Sequence, residues 1–169
     1  VALAQEFGLE PELIQKGFST FSGTNRRFEY KGTTGGFTVI DDYAHHPTEI
    51  RATLRTAQRV PHGTIWCVFQ PHTYTRTKAL LPQFAESLSI ADRVILADIY
   101  AARELDIYGI SSKDLEHEIQ KLGTECLYLP SFKEIEMYLH EHAKPGDMVI
   151  TMGAGNIVQV GESLLEELS

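Results

Sequence analysis

Four short runs of mostly apolar residues constrain most strongly what this chain can fold into. They have the length of β-strands and show no alternation of apolar and polar residues: residues 65–69, 94–97, 126–129 and 148–152. Runs of this kind predict strands that are covered on both faces. Because stretches with helical spacing separate them, the sequence predicts an α/β fold with a doubly wound, mostly parallel sheet.

The predicted helices carry their own start signals. After Pro47, which suits a first helical turn, Ile50, Leu54 and Ala57 fall on one helix face. Ser131 with Glu134 forms a capping box pattern, and Ser111 or Ser112 can cap the helix before it. The predicted helices cover residues 47–59, 78–88, 112–122, 132–142 and 156–168.

A glycine-rich segment predicts a β-hairpin near the start of the domain. Residues 27–31 and 37–41 read as strands, and residues 32–36 between them contain three glycines. A loop of about five residues with glycine is typical of a hairpin. We therefore expect an antiparallel pair at one edge of the sheet.

The first 24 residues differ in character from the rest. Residues 1–7 and 11–17 read as two short helices, too short to form a core unaided, and residues 19–24 read as a linker. We expect residues 1–24 to be the helical tail of a preceding domain plus linker, and residues 25–169 to form one domain. The alternative is an N-terminal subdomain packed on the rest.

Composition excludes several classes of protein. The formal charge of −8 argues against a nucleic-acid partner, because affinity for phosphate backbones needs clustered Lys and Arg. No apolar run approaches the roughly 18 residues of a membrane helix. Cys67 and Cys126 each lie in an apolar run, so we expect buried free thiols and a cytoplasmic location.

Polar turns follow several of the predicted strands. They occupy residues 42–46, 70–76, 98–103 and 153–156. Ligands of open α/β sheets bind beyond the carboxyl ends of the strands, so we expect these turns to form a site on one edge. The glycines of residues 153–155 form only part of a dinucleotide fingerprint and are expected to allow close backbone approach instead.

Within these turns the residue types indicate specific chemistry. Asp42 can bind the hydroxyls of a ribose or act as an Asx-type N-cap, and the sequence leaves both open. His45 and His46 are adjacent and lack further ligands at a recognisable spacing, so we expect no metal site. Arg27 can bind phosphate or form a surface ion pair. Thr75 or Thr77 could cap the helix that follows.

These motifs resemble the C-terminal domain of the Mur ligases, which act in bacterial cell-wall synthesis. The resemblance covers almost the whole chain and is carried by residues 25–29, 41–49, 69–77 and 152–157. It implies a Rossmann-like fold and an ATP-dependent ligase active when full length, acting in the cytoplasm. The implied partners are UDP-N-acetylmuramate and L-alanine, and the implied cofactors are ATP and Mg²⁺.

The resemblance also implies roles for individual residues. Arg27 would hold the γ-phosphate of ATP and Asp42 its ribose, while Asp41 is expected to be structural. Tyr43 and His45 would face the amino acid or the acyl phosphate, which makes Arg27 and His45 the candidate catalytic residues. The resemblance assigns Arg76 to the alanine carboxylate. Many relatives have Arg where this chain has Thr73, so the second carboxylate contact is expected to transfer to His72 or His45.

The chain contains no Gly-x-x-x-x-Gly-Lys-Ser/Thr loop. In the family this loop belongs to a central domain, together with most Mg²⁺ ligands, so the enzyme's own N-terminal and central domains are expected partners and the isolated chain is expected to be inactive. Two alternatives stay open. One is a recycling ligase that attaches a preformed peptide to the same sugar nucleotide, and the other is a non-catalytic nucleotide-binding module.

Overall fold

A computed structural model describes residues 2–20 and 24–167 of the 169-residue chain. The six strands in chain order are β1 (Glu29–Thr34), β2 (Phe37–Asp42), β3 (Ile65–Phe69), β4 (Arg93–Leu96), β5 (Glu125–Tyr128) and β6 (Met148–Met152). The helices are α1 (Ala2–Glu6), α2 (Pro11–Thr20), α3 (Pro47–Ala57), α4 (Tyr74–Ala79), α5 (Leu81–Leu88), α6 (Ser112–Lys121), α7 (Phe132–His142) and α8 (Val158–Glu167).

One six-stranded sheet organises the domain, in the order β1-β2-β6-β3-β4-β5. Only β1 is antiparallel to its neighbour, and the other strands are parallel. Every residue of the central strands β3 and β6 is buried. The predicted doubly wound α/β fold with an antiparallel edge hairpin is therefore confirmed.

Helices cover the sheet on both faces. On one face, Cys67 and Phe69 of β3 pack in a cluster with residues of α3, α5 and α6. On the other face, Trp66 and Val68 pack in a second cluster with residues of α7 and α8. Successive side chains of a strand point to opposite faces, so a strand that is covered on both faces buries the side chains of both.

The hairpin turn is shorter than predicted. β1 continues to Thr34, which leaves only Gly35 and Gly36 as the turn. Both have left-handed φ angles, of 56° and 83°, and two consecutive residues of that kind make the tightest hairpin turns. Gly32, which the sequence placed in the turn, lies instead at an irregularity in the β1–β2 pairing.

The single helix predicted over residues 78–88 is wrong. Two helices occupy this region, and Leu80 separates them with a φ of −116°. Pro82 lies in the first turn of α5, where its missing N–H costs nothing but prevents continuation from α4. The N-cap of α4 is Thr73, so the prediction that Thr75 or Thr77 caps the helix is also wrong.

Other local predictions are confirmed. Ser131 and Glu134 form the capping box of α7, and Ser111 is the N-cap of α6. Cys67 and Cys126 are buried free thiols. No helix among the described residues has the length and apolar character to span a membrane.

The N-terminal helices form as predicted, but α2 extends to Thr20 through two residues assigned to the linker. Of the rest of that linker, residues 21–23 lie outside the described residues. Neither α1 nor α2 has a buried residue. The division of the chain into a helical tail with linker (residues 1–24) and one domain (residues 25–169) stays a prediction.

Candidate functional site

The carboxyl ends of β2, β3, β4 and β6 lie at one edge of the sheet because these strands are parallel. Backbone hydrogen bonds join the turns that follow them. Gly153 N–H donates to Asp42 C=O at 3.1 Å, and Gln70 N–H donates to Met152 C=O at 3.0 Å. The four predicted polar turns therefore meet, as expected, along one edge.

Arg26 fastens the segment before β1 to this edge. Its Nε donates to the buried Asp41 Oδ2 at 2.8 Å, and its Nη2 and Nη1 donate to the carbonyls of Gly153 and Gly155 at 2.8 and 3.2 Å. Asp41 Oδ1 also accepts a hydrogen bond from Thr151 Oγ1 at 2.8 Å. The expected structural role of Asp41 agrees with this arrangement, and Arg26 has its donors engaged.

Asp42 is buried and uses both carboxylate oxygens. Oδ2 accepts the Phe28 N–H and Oδ1 accepts the Ala44 N–H, each at 2.8 Å. The bond to Ala44, two residues on, is an Asx-type turn. The N-cap alternative is wrong, because His46 caps α3 by accepting the Thr48 N–H at its Nδ1. A carboxylate oxygen still has a second lone pair for a ligand.

A groove runs between the segment before β1 and the first turns of α3. Its volume is about 350 Å³, and its lining residues are Arg27, Phe28, Asp42, Glu49, Ala52, Thr53 and Thr56. Arg27 is exposed, and its guanidinium makes no hydrogen bond or ion pair within the described residues. The surface ion pair considered for Arg27 is therefore not present among them, and its donors face an open groove.

A row of rings runs from this groove across the edge of the sheet. Tyr43 and His45 meet edge to face with centroids 5.4 Å apart, and His45 lies 6.1 Å from His72. His72 stacks on Tyr100 at 5.4 Å and an interplanar angle of 25°. The structure thus brings together the predicted residues Tyr43, His45 and His72, which come from two different turns.

Glu49 orients His45 and was not predicted. Its Oε2 accepts the His45 N–H at 3.1 Å and lies 3.5 Å from Nδ1, while Nδ1 is 3.0 Å from Tyr43 C=O. Burial alone would raise the pKa of Glu49, but the His45 N–H and the charges of His45 and Arg27 lower it below its ordinary value. The spacing i, i+4 from His45 was the available sequence signal.

Three polar side-chain atoms near the end of β3 are buried and have no hydrogen-bond partner among the described residues: Gln70 Oε1, His72 Nδ1 and Arg76 Nη1. Such atoms cost free energy until a partner arrives, so a cluster of them marks a place where a ligand can pair. Burial, Arg76 and His45 together lower the pKa of His72, and Glu104 opposes them. The predicted binding residues His72 and Arg76 thus lie close enough to influence each other, with the imidazole shifted toward its neutral form beside the Arg76 charge.

The turn after β6 needs its glycines, as predicted. A Cβ on Gly153 would lie 2.9 Å from the Gln70 carbonyl oxygen, and Gly153 has a φ of 150°. A Cβ on Gly155 would lie 2.3 Å from Gln70 Oε1. These contacts let the turn pack directly on the end of β3.

The described residues hold no group of three or more His, Cys, Asp and Glu side chains placed to bind a metal ion. His46 is occupied as a helix cap, and His45 is paired with Glu49. Arg27 and Asp42, by contrast, fit the phosphate and the ribose of a nucleotide, because one offers free donors and the other free lone pairs.

The family model "Mur ligase, glutamate ligase domain" matches residues 26–155, so the chain belongs to the Mur ligase family.

Within that family, the chain is similar to UDP-N-acetylmuramate–L-alanine ligases. The protein of that name from Lachnospira eligens is 57% identical over 98% of this chain, and the one from Agathobacter rectalis is 56% identical over 99%. This chain spans 36% of the length of each relative.

Solved structures agree on the fold. UDP-N-acetylmuramate-alanine ligase from Thermotoga maritima has a TM-score of 0.81 at 27% identity and covers 98% of this chain, which spans 35% of that protein. A murein peptide ligase from Psychrobacter arcticus has a TM-score of 0.70 at 26% identity. The match covers 99% of this chain and 35% of that protein.

Proposed function

We propose that this chain is the C-terminal part of an ATP-dependent ligase that joins L-alanine to UDP-N-acetylmuramate in peptidoglycan synthesis. One observation carries the proposal: a single edge of the sheet holds an open groove with Arg27 and Asp42, and beside it the unpaired buried atoms of His72 and Arg76. A ligase needs a nucleotide and an amine substrate next to each other. The relatives named above as alanine ligases support the choice of amine.

The groove is the proposed nucleotide wall. Asp42 is fixed by two backbone N–H groups, so a free lone pair can accept a ribose hydroxyl without further ordering of the side chain. Arg27 is free to bind the γ-phosphate through its planar donors. Its charge also offsets negative charge that develops during phosphoryl transfer.

The region with the unpaired atoms of Gln70, His72 and Arg76 is the proposed amino-acid pocket. Arg76 would bind the alanine carboxylate, and Nη1 would gain the partner that it lacks. His72 supplies a second contact where Thr73 replaces the Arg of many relatives. Tyr43 and His45 lie between this pocket and the groove, where they would contact the reacting groups.

In the proposed reaction, bound ATP with Mg²⁺ supplies a phosphoryl group that turns the lactyl carboxylate of UDP-N-acetylmuramate into a good acceptor. The neutral amine of L-alanine then attacks the carbonyl carbon, phosphate leaves, and the nitrogen gives up a proton. Tyr43 C=O lies 3.0 Å from His45 Nδ1 and Glu49 Oε2 lies 3.5 Å from it, and both hold the ring next to this region. This suits His45 to position the amine or accept its proton.

Other parts of the whole protein complete the proposed site. The chain as given has no Gly-x-x-x-x-Gly-Lys-Ser/Thr loop, so we propose that a central domain supplies it with the Mg²⁺ ligands and that an N-terminal domain binds the sugar nucleotide. A cytoplasmic location belongs to the proposal, and the free buried thiols Cys67 and Cys126 agree with a reducing compartment.

A test separates this function from the alternatives. The full-length protein is incubated with ATP, Mg²⁺ and UDP-N-acetylmuramate, with either L-alanine or the tripeptide L-alanyl-γ-D-glutamyl-meso-diaminopimelate, while ADP release and the mass of the amide product are measured. We expect release that depends on L-alanine. Release with the tripeptide alone would identify a recycling ligase, and ATP binding without turnover would identify a nucleotide-binding module.

A further inference from the structure

The loop that follows β4 folds back over the loop that follows β3. Tyr100 N–H donates to Pro71 C=O at 2.8 Å, and Thr73 N–H donates to Tyr100 C=O at 2.9 Å. The two bonds lie on either side of His72, which pairs with Tyr100 as an isolated parallel bridge. The backbones of the two loops are therefore tied together at His72.

The side chain of Tyr100 adds to this connection. Its ring stacks on the imidazole of His72, with centroids 5.4 Å apart. It also contacts the turn after β6, because a Cβ on Gly155 would lie only 2.9 Å from Tyr100 Cγ. Tyr100 is thus held between the imidazole and a turn that has no room for a larger residue.

No hydrogen bond within the described residues fixes the ring of His72. Its Nδ1 is buried and unpaired, and its other ring neighbour, His45, is farther away at 6.1 Å. The stack with Tyr100 is the closest ring contact that His72 has. Aromatic pairs of this kind contribute beyond the area that they bury, since their geometry is specific.

We propose that Tyr100 is a positioning residue for the amino-acid substrate and acts through His72. By stacking on the imidazole, Tyr100 holds Nδ1 of His72 in place for the carboxylate of the incoming amino acid. This inference rests on the proposed function, because His72 contacts a substrate only if the pocket binds one. Tyr100 itself needs no charge and no hydroxyl for this role.

Kinetics of the full-length enzyme test the proposal. Tyr100→Ala removes the stack, and we expect the KM for L-alanine to rise about three- to tenfold while the KM for ATP stays unchanged. Tyr100→Phe keeps the ring and should behave like the parent. Tyr108→Ala is the matched control, because Tyr108 lies on the same loop, is 42% exposed and contacts Lys78 rather than His72.

Gly155→Ala tests the same contact from the other side. The φ of Gly155 is not left-handed, so the backbone accepts alanine, but the new Cβ must displace both Gln70 Oε1, 2.3 Å away, and the ring of Tyr100, whose Cγ is 2.9 Å away. We expect the same selective rise in the KM for L-alanine, with thermal unfolding measured in parallel to show that the variant folds.

Two results would overturn the inference. One is a Tyr100→Ala enzyme with the parent's KM for L-alanine. The other is an equal rise in the KM values for alanine and ATP, which would give Tyr100 a general structural role. A parent enzyme without alanine-dependent ADP release would instead refute the proposed function and this inference with it.

Discussion

Arg26 and Asp41 form an ion pair of 2.8 Å in which the carboxylate is fully buried and the guanidinium is 24% exposed. Because Asp41 also accepts the hydroxyl of Thr151, and Arg26 also binds two carbonyls of the turn after β6, the pair joins three parts of the chain. Arg26 therefore holds in place the segment that also carries Arg27.

Replacing Asp41 with Asn should destabilise the protein. The change keeps the shape of the side chain but leaves the Arg26 charge without its partner, so we expect the free energy of unfolding to fall by roughly 3 kcal/mol. Urea unfolding measures it. Glu118→Gln, which breaks the exposed pair with Lys121, is the control and should cost less than about 1 kcal/mol. Equal effects of both variants would contradict the importance of burial.

The free energy of unfolding should depend on pH because Asp147 binds a proton less readily in the folded protein. Burial raises the pKa of Asp147, but hydrogen bonds from the Thr64 and Lys144 N–H groups and the Trp66 indole outweigh it, so the pKa in the folded protein lies below the ordinary value of 3.8. A carboxyl group whose pKa is lower in the folded than in the unfolded protein stabilises the fold at pH values above its unfolded pKa. This stability is lost as the pH falls through the folded pKa.

We therefore expect Asp147→Asn to be less stable than the parent at pH 7, with a gap that narrows as the pH falls below 3.8. Urea unfolding at a series of pH values measures the gap. Glu86→Gln, on the surface of α5, should follow the parent at every pH. A gap that stays constant down to low pH would show that the carboxylate charge is not responsible.

In the full-length enzyme, Asp42→Ala should weaken the binding of ATP more than the binding of L-alanine. A lost hydrogen bond to a charged group costs about 1.5–3 kcal/mol, which is on the order of ten- to a hundredfold in affinity. Since Asp42 also accepts the N–H groups of Phe28 and Ala44, the variant should unfold at a lower temperature too. An unchanged KM for ATP with a raised KM for alanine would assign Asp42 to the other pocket.

Arg76→Lys should raise the KM for L-alanine and leave the KM for ATP nearly unaltered. Lysine keeps the charge but loses the planar pair of donors that fixes a carboxylate in position and angle. The matched control is Arg51→Lys, because Arg51 lies on α3 and pairs with Glu86 on the surface. Steady-state kinetics with each substrate varied measures both KM values. A KM for L-alanine equal to that of the parent would show that Arg76 does not bind the alanine carboxylate.

Local patterns were sufficient for most of the fold. The apolar run of residues 148–152 and the capping box at Ser131 depend on neighbours in sequence, and both predictions are confirmed. Where two local signals competed, the prediction failed. Because Gly32 is a turn-forming residue, the predicted hairpin turn began too early in the sequence. The helical spacing after Lys78 predicted one helix, although Pro82 begins a new one.

The site was predictable only to the level of its edge. That polar turns meet there follows from parallel strands, but the partners of each side chain do not. Arg26 reaches carbonyls at positions 153 and 155, and the stack of Tyr100 on His72 joins two separate turns. Nothing in the local sequence of either partner signals such pairs, because only the packed sheet brings them into contact.

The helices α1 and α2 bury none of their side chains, and two large apolar residues of this region, Phe7 just after α1 and Phe18 in α2, are 77% and 62% exposed. Apolar surface of this kind associates with whatever covers it. In a solution of this chain alone, we expect another copy to be that partner. Light scattering at increasing concentration should then report self-association, and substitution of Phe7 and Phe18 by Ser should reduce it.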